Sequence, residues 1–135
     1  MTVPELLIVL VIVGALFALA VPPIAASADR AAAHSAAQDV ETAFASARDE
    51  ALARRAITWV VFDTARAIVW IRAAGGGTRS RPVGSIFGVR IASTRDSVSY
   101  DGRGLGWGAA NVTVVVSRGR VRDSIVVSRL GRVRR

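Results

Sequence analysis

The sequence predicts an α+β protein, in which a long N-terminal α-helix packs on a C-terminal antiparallel β-meander. Three observations support this prediction. Residues 6–28 are uncharged and mostly apolar. Residues 24–55 are rich in alanine and repeat their apolar positions at helical spacing. After Arg55 the chain changes to short β-branched and aromatic runs separated by turn residues.

The first half of the predicted helix is an apolar segment, LLIVLVIVGALFALAVPPIAASA, that begins directly after Glu5. At about 1.5 Å per residue it would extend roughly 35 Å, enough to cross a hydrocarbon core of about 30 Å. Pro22 and Pro23 lack backbone donors and are expected to interrupt the helix, and Gly14 is a second weak point. A lone carboxylate at the start of such a segment suggests that the segment leaves the bilayer for another apolar environment, where Glu5 finds a cationic partner.

The second half of the helix is amphipathic. Its apolar stripe recurs every three or four residues and consists of Val40, Phe44, Ala47, Ala51 and Leu52. Most charged residues of this half lie off the stripe. We therefore expect the stripe to pack on the sheet.

The strands follow the helix in sequence. Predicted strands cover residues 57–62, 67–71, 89–92, 97–100, 112–116 and 125–127. The first two flank a hairpin turn at residues 63–66, whereas residues 75–84 are predicted to form a loose loop and residues 101–108 a Gly-rich turn. Together with the helix, these elements divide the chain into residues 1–28, 29–55 and a β-rich head at 56–135.

The composition excludes several classes of site. The 135 residues contain no cysteine and one histidine, His34, so a thiolate or multi-imidazole metal centre cannot form. The acidic residues are scattered, which argues against an oxygen-rich calcium site. Residues 102–108 lack the following helix and the Lys-Ser/Thr of a phosphate-binding loop. We expect no cofactor, no resident metal ion and no enzymatic activity.

Three positions of the apolar segment resemble the N-terminus of the type IV pilins and the type II secretion pseudopilins. Those proteins carry Glu at the fifth mature position, Gly near the fourteenth and Pro near the twenty-second, matching Glu5, Gly14 and Pro22. The resemblance implies that Met1 is the first residue left by a prepilin peptidase. Pro4 departs from the aliphatic residue usual in the family, although proline is tolerated in a first helical turn.

The rest of the chain is similar to the H-type pseudopilins and the FimT-type minor pilins. Those proteins have a Phe/Tyr-Asp-x-x-Gly turn, which corresponds to residues 100–104, and a terminal Gly-Arg-x-Arg, which corresponds to residues 131–134. Residues 73–97 match least. The resemblance implies the pilin fold.

The family resemblance also implies assembly into a helical filament with a core of bundled N-terminal helices. In such a bundle Glu5 would pair with the α-amine of Met1 on a neighbouring subunit, and Met1 is a candidate for N-methylation. Pro22, Pro23 and Gly14 either loosen the helix when the subunit leaves the membrane or hold a fixed kink. The other interpretation of the segment is a membrane helix with Glu5 in the headgroup region.

Arginine supplies the whole net charge of +8, because the sequence contains no lysine. The C-terminal part is the most basic, and its candidate DNA-binding residues are Arg118, Arg120, Arg122, Arg132, Arg134 and Arg135. The alternation of arginine around residues 118–122 predicts guanidinium groups on one face of a strand, a row that suits a phosphate backbone. Some FimT-type minor pilins bind DNA for uptake. The alternatives are protection of an edge strand and bridges to acidic neighbouring subunits.

These observations predict a structural subunit of an extracellular type IV pilus-like or pseudopilus-like filament. Two alternatives stay open: a minor tip or initiator pseudopilin of type II secretion, and a FimT-like minor pilin that binds DNA. The implied partners are copies of the chain, other pilins, the prepilin peptidase and the bacterial inner membrane. The implied location is the inner membrane before assembly, then a periplasmic or cell-surface filament.

Overall fold

The computed structural model of the chain describes residues 2–107 and 111–135. One long helix, α1 (Val3–Arg54), confirms the predicted long N-terminal helix. It ends because Arg55 adopts a left-handed conformation, with φ of 50°. The predicted interruption at Pro22 and Pro23 is wrong, since α1 runs through both positions. Proline removes a hydrogen bond there, but its ring fixes φ near the helical value and alanine-rich turns follow.

The apolar stripe of α1 faces the core as predicted, except at its last position. Val40, Phe44, Ala47 and Ala51 are fully buried. Leu52 is 44% exposed, so its assignment to the core is wrong. Its side chain lies over the backbone at residue 104, outside the layer between helix and sheets.

In the described part of the chain, nine strands and a short helix follow α1. The strands are β1 (Thr58–Asp63), β2 (Ile68–Ala73), β3 (Thr78–Arg81), β4 (Arg90–Ser93), β5 (Ser97–Tyr100), β6 (Gly106–Trp107), β7 (Val112–Arg118), β8 (Val121–Val127) and β9 (Val133–Arg134), and α2 (Val83–Phe87) lies between β3 and β4. They form two antiparallel sheets. The first sheet has the order β3-β2-β1-β5-β6, and the second has the order β4-β7-β8-β9.

This topology confirms the α+β class and differs from a single meander. The chain leaves the first sheet after β3, adds β4 to the second sheet, and returns so that β5 pairs with β1. The cause is α2, whose Val83 is fully buried and which packs on α1. Packing of α2 carries the chain from the edge of one sheet to the edge of the other.

The loose loop predicted at residues 75–84 is wrong, because that stretch contains β3 and the start of α2. Two arginines of β3 hold it against α1. Arg79 contacts Glu50 at 2.5 Å, and Arg81 pairs with Asp39. The Gly, Ser and Arg composition resembled a loop because β3 is stabilised by these distant carboxylates rather than by its own apolar residues.

The core lies between α1 and the inner faces of the two sheets. Phe44 of α1 meets Phe62 of β1, with ring centroids 5.8 Å apart. Val114, Val116 and Ile125 contribute from the second sheet and are fully buried. Burial of these side chains is the main stabilising term for the head.

Candidate functional site

The first half of α1 extends away from the head as an apolar rod. Every described residue of the stretch 3–25 is exposed. This stretch is long and apolar enough to cross a membrane, judged by length and composition. A continuous apolar surface of this size marks a site of contact with a membrane or another protein.

Glu5 caps the N-terminus of α1 through contacts within its own chain. Its Oε2 atom accepts a hydrogen bond from the backbone N–H of Thr2 at 2.9 Å and lies 3.3 Å from the Thr2 hydroxyl. The hydrogen bond from the Thr2 N–H satisfies one orphan backbone donor at the start of the helix, and Glu5 places a negative charge at the positive end of the helix. Met1 lies outside the described residues, so the pairing of Glu5 with the α-amine of Met1 stays a prediction.

The two motifs of the head meet at one place. The carboxylate of Asp101 accepts hydrogen bonds from the backbone N–H groups of Arg103 and Leu105, both at 2.9 Å, and so shapes the turn. Gly131 of the terminal motif lies against the ring of Tyr100, where a Cβ atom would come within 2.7 Å of Cε1. The Tyr-Asp-x-x-Gly turn and the terminal Gly-Arg-x-Arg therefore pack on each other.

Tyr100 is the centre of this junction and is fully buried. Its hydroxyl has no hydrogen-bond partner among the described residues. Burial raises the pKa of Tyr100 to about 12, against a smaller opposing effect of Arg48. An open groove of about 530 Å³ runs beside it, between α1 and residues 131–134. Its walls combine the acids Glu41 and Asp49 with arginines, which gives a mixed surface without a concentrated charge.

Arg118 is tied to the head and is not part of a free basic row. Its Nε atom donates to Asp29 Oδ1 at 2.9 Å, and Nη1 donates to the carbonyl oxygen of Phe87 at 2.6 Å. Gly119 allows this approach, because a Cβ atom there would lie 2.7 Å from Asp29 Oδ2. The β7–β8 hairpin is thereby fixed to the middle of α1.

Arg135 is also held by contacts within the chain. Its guanidinium pairs with Asp123 and lies 2.6 Å from His34 Nδ1. The hydrogen bond from Arg135 lowers the pKa of Asp123, and the same bond raises the pKa of Arg135. The His34 side chain is 60% exposed and helps to hold Arg135 on α1.

The predicted row of arginines along one strand is wrong. Residues 119 and 120 form the tip of a hairpin, so Arg118 ends β7, Arg120 lies in the turn, and Arg122 belongs to β8. Two of the predicted residues do share a surface. Arg122 and Arg134 both occupy outward positions of the second sheet, alternating with the buried Ile125 and Val127.

Arg90, which the sequence did not single out, joins them. The register pairs Arg90 with Ser117, and Ser117 with Arg122, so Arg90 and Arg122 lie two strands apart, about 10 Å. We call the outward arginines of the second sheet, Arg90, Arg122 and Arg134, the arginine face. In the described chain, the outward positions of this sheet carry no carboxylate, since Asp123 alternates to the inner side. Arg90 reaches the arginine face through the pairing of β4 with β7. The sequence around Arg90 does not show this pairing.

Two solved structures have a similar fold. Both are crystal structures of the type IV minor pilin FimU from Pseudomonas aeruginosa strain PAO1, in two space groups. The first matches with a TM-score of 0.61 and 17% identity, over 78% of this chain and 89% of FimU. The second gives a TM-score of 0.59 and 18% identity, over 75% and 90% respectively. The chain has the type IV pilin fold. Comparison of the sequence with family profiles and with curated proteins finds no match.

In this pilin fold, Gly14 and Pro23 have open surroundings within the chain, whereas the side chain of Pro22 lies outside the described part. A Cβ atom at Gly14 would meet nothing within 4 Å, and Pro23 is exposed. The helix is continuous at both positions, so their roles in assembly stay predictions. Across residues 2–107 and 111–135, no group of three metal-binding side chains lies together.

The outer face of the first sheet carries all three tryptophans of this pilin-fold chain, a grouping that the sequence pattern does not show. Trp59, Trp70 and Trp107 occupy outward positions of β1, β2 and β6. The strand around Trp59 is apolar on both faces, so its alternation does not show which residues point outward. Pairing of β5 between β1 and β6 places them on one surface.

Proposed function

We propose that this chain is a structural subunit of an extracellular filament of the type IV pilus or pseudopilus kind, and not an enzyme. The observation that carries the proposal is the exposed, apolar first half of α1, joined to a folded head. Such a surface is stable only in a membrane or in a bundle of similar helices. The likeness of the fold to FimU supports the same conclusion.

In this proposal, the segment 1–28 anchors the subunit in the bacterial inner membrane and later forms the filament core. A prepilin peptidase generates Met1, whose α-amine, methylated or free, stays positive. Glu5 accepts from Thr2 within its own chain, at 2.9 Å, and would exchange that partner for the α-amine of a neighbouring Met1 on assembly. In a dry bundle an unpaired carboxylate is strongly unfavourable, so this exchange sets the docking position of each subunit. Gly14, Pro22 and Pro23 would let the helix adapt to the bundle.

Filament formation is tested with Glu5→Ala in the source bacterium. Sheared surface filaments are imaged by electron microscopy, and this chain is quantified in them by mass spectrometry. We expect Glu5→Ala to abolish incorporation while the subunit stays in the membrane. Asp49→Ala is the matched control, because Asp49 is an exposed carboxylate on the same helix. Normally populated filaments from Glu5→Ala would contradict the pairing role.

The same measurement separates a shaft subunit from a minor one. A shaft subunit dominates the sheared filaments, whereas a tip or initiator subunit of a pilus or a type II secretion pseudopilus is scarce. The matching structures are of a minor pilin, which favours the minor role.

A second candidate function is DNA binding through the arginine face, and it is favoured by the absence of acids at the described outward positions of the second sheet. Arg90 and Arg122, two strands and about 10 Å apart on this sheet face, can each contact a backbone phosphate without reading bases. Of the other candidates, Arg120 and Arg132 are exposed beside this face, whereas Arg118 and Arg135 are held by carboxylates.

The test is the salt dependence of duplex binding by the full chain in detergent micelles. Each phosphate contact contributes about 0.9 to the slope of log K against log salt, so replacing Arg90, Arg122 and Arg134 by Ala lowers the slope by about 2 to 3. Arg66→Ala, in the β1–β2 turn, is the control for each single replacement, because it removes the same one positive charge outside the arginine face. Binding that does not depend on salt would exclude this function.

A further inference from the structure

The outer face of the first sheet combines aromatic rings with one central cation. Trp59 pairs in register with Arg72 on one side and with Ser99 on the other, and Ser99 pairs with Trp107. Trp70 lies two residues before Arg72 on the same face. We call Trp59, Trp70, Trp107 and Arg72 the tryptophan face.

The spacing of the three tryptophans leaves each indole ring available for contact with a ligand. Trp59 and Trp107 are two strands apart, about 10 Å, and Trp59 and Trp70 are diagonal neighbours about 7 to 8 Å apart. Among the described residues the aromatic contact is between Phe44 and Phe62, so the indoles do not stack on each other. Trp107 is 58% exposed and Trp59 is 36% exposed, while Trp70 is half-buried.

The charge around this face favours an anionic ligand. Arg72 is exposed between two tryptophans, and Arg66 and Arg103 are exposed in turns at opposite ends of the sheet. Two carboxylates near these turns accept hydrogen bonds from the backbone, and Asp96, whose carbonyl oxygen accepts from the N–H of Phe62, is exposed before β5. Asp63 accepts from the N–H of Arg66 at 3.1 Å, and Asp101 accepts two N–H groups of its own turn. The net charge of the chain, +8, acts in the same direction.

We propose that the tryptophan face binds single-stranded nucleic acid, with unstacked bases on the indole rings and Arg72 on the backbone phosphates. Aromatic side chains on the open face of an antiparallel sheet are a general means of stacking two or three bases, and every base offers a ring face. A duplex keeps its bases stacked internally and cannot use this surface. The proposal therefore concerns a different sheet and a different ligand from the arginine face, and it does not depend on filament assembly.

The experiment measures binding of a fluorescein-labelled oligo-dT of about 15 nucleotides, near the upper site size of a stacking domain. The full chain is kept in detergent micelles, and a duplex of the same length is compared. Trp107→Ala is the test variant, and Leu130→Ala is the matched control, because Leu130 is 60% exposed but outside the face. Trp107→Phe keeps a stacking ring.

Loss of one stacking contact removes about 1 to 3 kcal/mol, so Trp107→Ala raises the Kd for oligo-dT about 5- to 150-fold. Leu130→Ala leaves it unchanged, and Trp107→Phe recovers most of the affinity. Duplex binding is the same in all three variants. Arg72→Ala lowers the salt slope for the single strand by about 0.7.

Three outcomes overturn the proposal. Equal Kd values for Trp107→Ala and Leu130→Ala show that the ring does not contact the strand. Loss of oligo-dT binding on removal of Arg90 and Arg122 instead shows that the arginine face binds both forms. Unchanged oligo-dT binding together with loss of self-association in Trp107→Ala shows that the face contacts a second copy of the chain.

Discussion

Asp29 and Arg118 join the middle of α1 to the β7–β8 hairpin through a 2.9 Å hydrogen bond between residues 89 positions apart in sequence. The pair lies at the boundary between the exposed rod and the head, where α1 begins to be buried. Arg118 also donates to the carbonyl oxygen of Phe87, at the end of α2. One side chain thus connects both helices with the second sheet.

Replacing Arg118 by Ala is expected to destabilise the head by about 1 to 2 kcal/mol. The two side chains are 38% and 32% exposed, so solvent screening reduces the ionic contribution, and the lost contact to Phe87 supplies the rest. The measurement is urea unfolding of the full chain in detergent micelles, followed by tryptophan fluorescence. A double-mutant cycle with Asp29→Asn isolates the coupling, and an additive result would show that the pair contributes nothing.

The junction of the two head motifs is expected to reject any side chain at position 131. Gly131 has φ of +74°, and a Cβ atom there would lie 2.7 Å from the ring of Tyr100 and 3.2 Å from the nitrogen of Gly106. Gly131→Ala therefore combines backbone strain with overpacking and costs about 3 kcal/mol. Gly75→Ala is the control, because Gly75 has φ of +90° with nothing within 4 Å. It costs about 1 kcal/mol, from strain alone. Equal losses in urea unfolding would show that the contact with Tyr100 is unimportant.

Tyr100 is expected to make the head sensitive to alkali. Burial raises the pKa of its hydroxyl from 10.0 to about 12. Because deprotonation is easier in the unfolded chain, the associated stability is complete below pH 10 and decreases as the pH rises to 12. The loss reaches about 2 to 3 kcal/mol. Arginine keeps its charge over this range, so the basic residues contribute little to the change.

Tyr100→Phe tests this expectation directly. It removes a buried hydroxyl that has no partner among the described residues, so the variant is expected to be about 1 kcal/mol more stable at pH 7. Its unfolding free energy should also be nearly constant between pH 10 and 12. A wild-type decrease that persists in the variant would assign the alkaline sensitivity to another group.

The features predicted correctly are those determined by neighbours in sequence. The stripe of Val40, Phe44, Ala47 and Ala51 follows from helical spacing, and the β1–β2 hairpin follows from two β-branched runs around one turn. The N-terminal register of Glu5 and Gly14 pointed to the pilin fold for the same reason: it is a local pattern.

The features that were missed depend on pairing between distant segments. β3 resembled a loop because its stabilising contacts, from Arg79 and Arg81, reach carboxylates on α1. Arg90 reaches the arginine face only through the pairing of β4 with β7. The tryptophan face was missed for the same reason, since β6 pairs in the first sheet only after the chain has added β4 to the second sheet.

The C-terminal residue is expected to stabilise the head at neutral pH and to lose that effect in acid. The hydrogen bond from Arg135 lowers the pKa of Asp123, so the folded state favours the ionised carboxylate. The stabilisation is present above the ordinary pKa of 3.8 and is lost as the pH falls through the lower folded value. Thermal unfolding of the full chain between pH 2 and 6 should show a smaller acid decrease in Asp123→Asn than in wild type.

Removal of Arg135 supplies the matched variant for this acid effect. Arg135→Ala takes away the partner of Asp123 and also the contact with His34, which lies 2.6 Å from the guanidinium. Asp123→Asn in the Arg135→Ala background is therefore expected to change Tm and its pH dependence less than in the wild-type background, because the carboxylate has already lost the largest of the contacts that lower its pKa. If Asp123→Asn flattens the acid limb equally in both backgrounds, the backbone N–H of Ser124 and the imidazole of His34, rather than Arg135, stabilise the carboxylate.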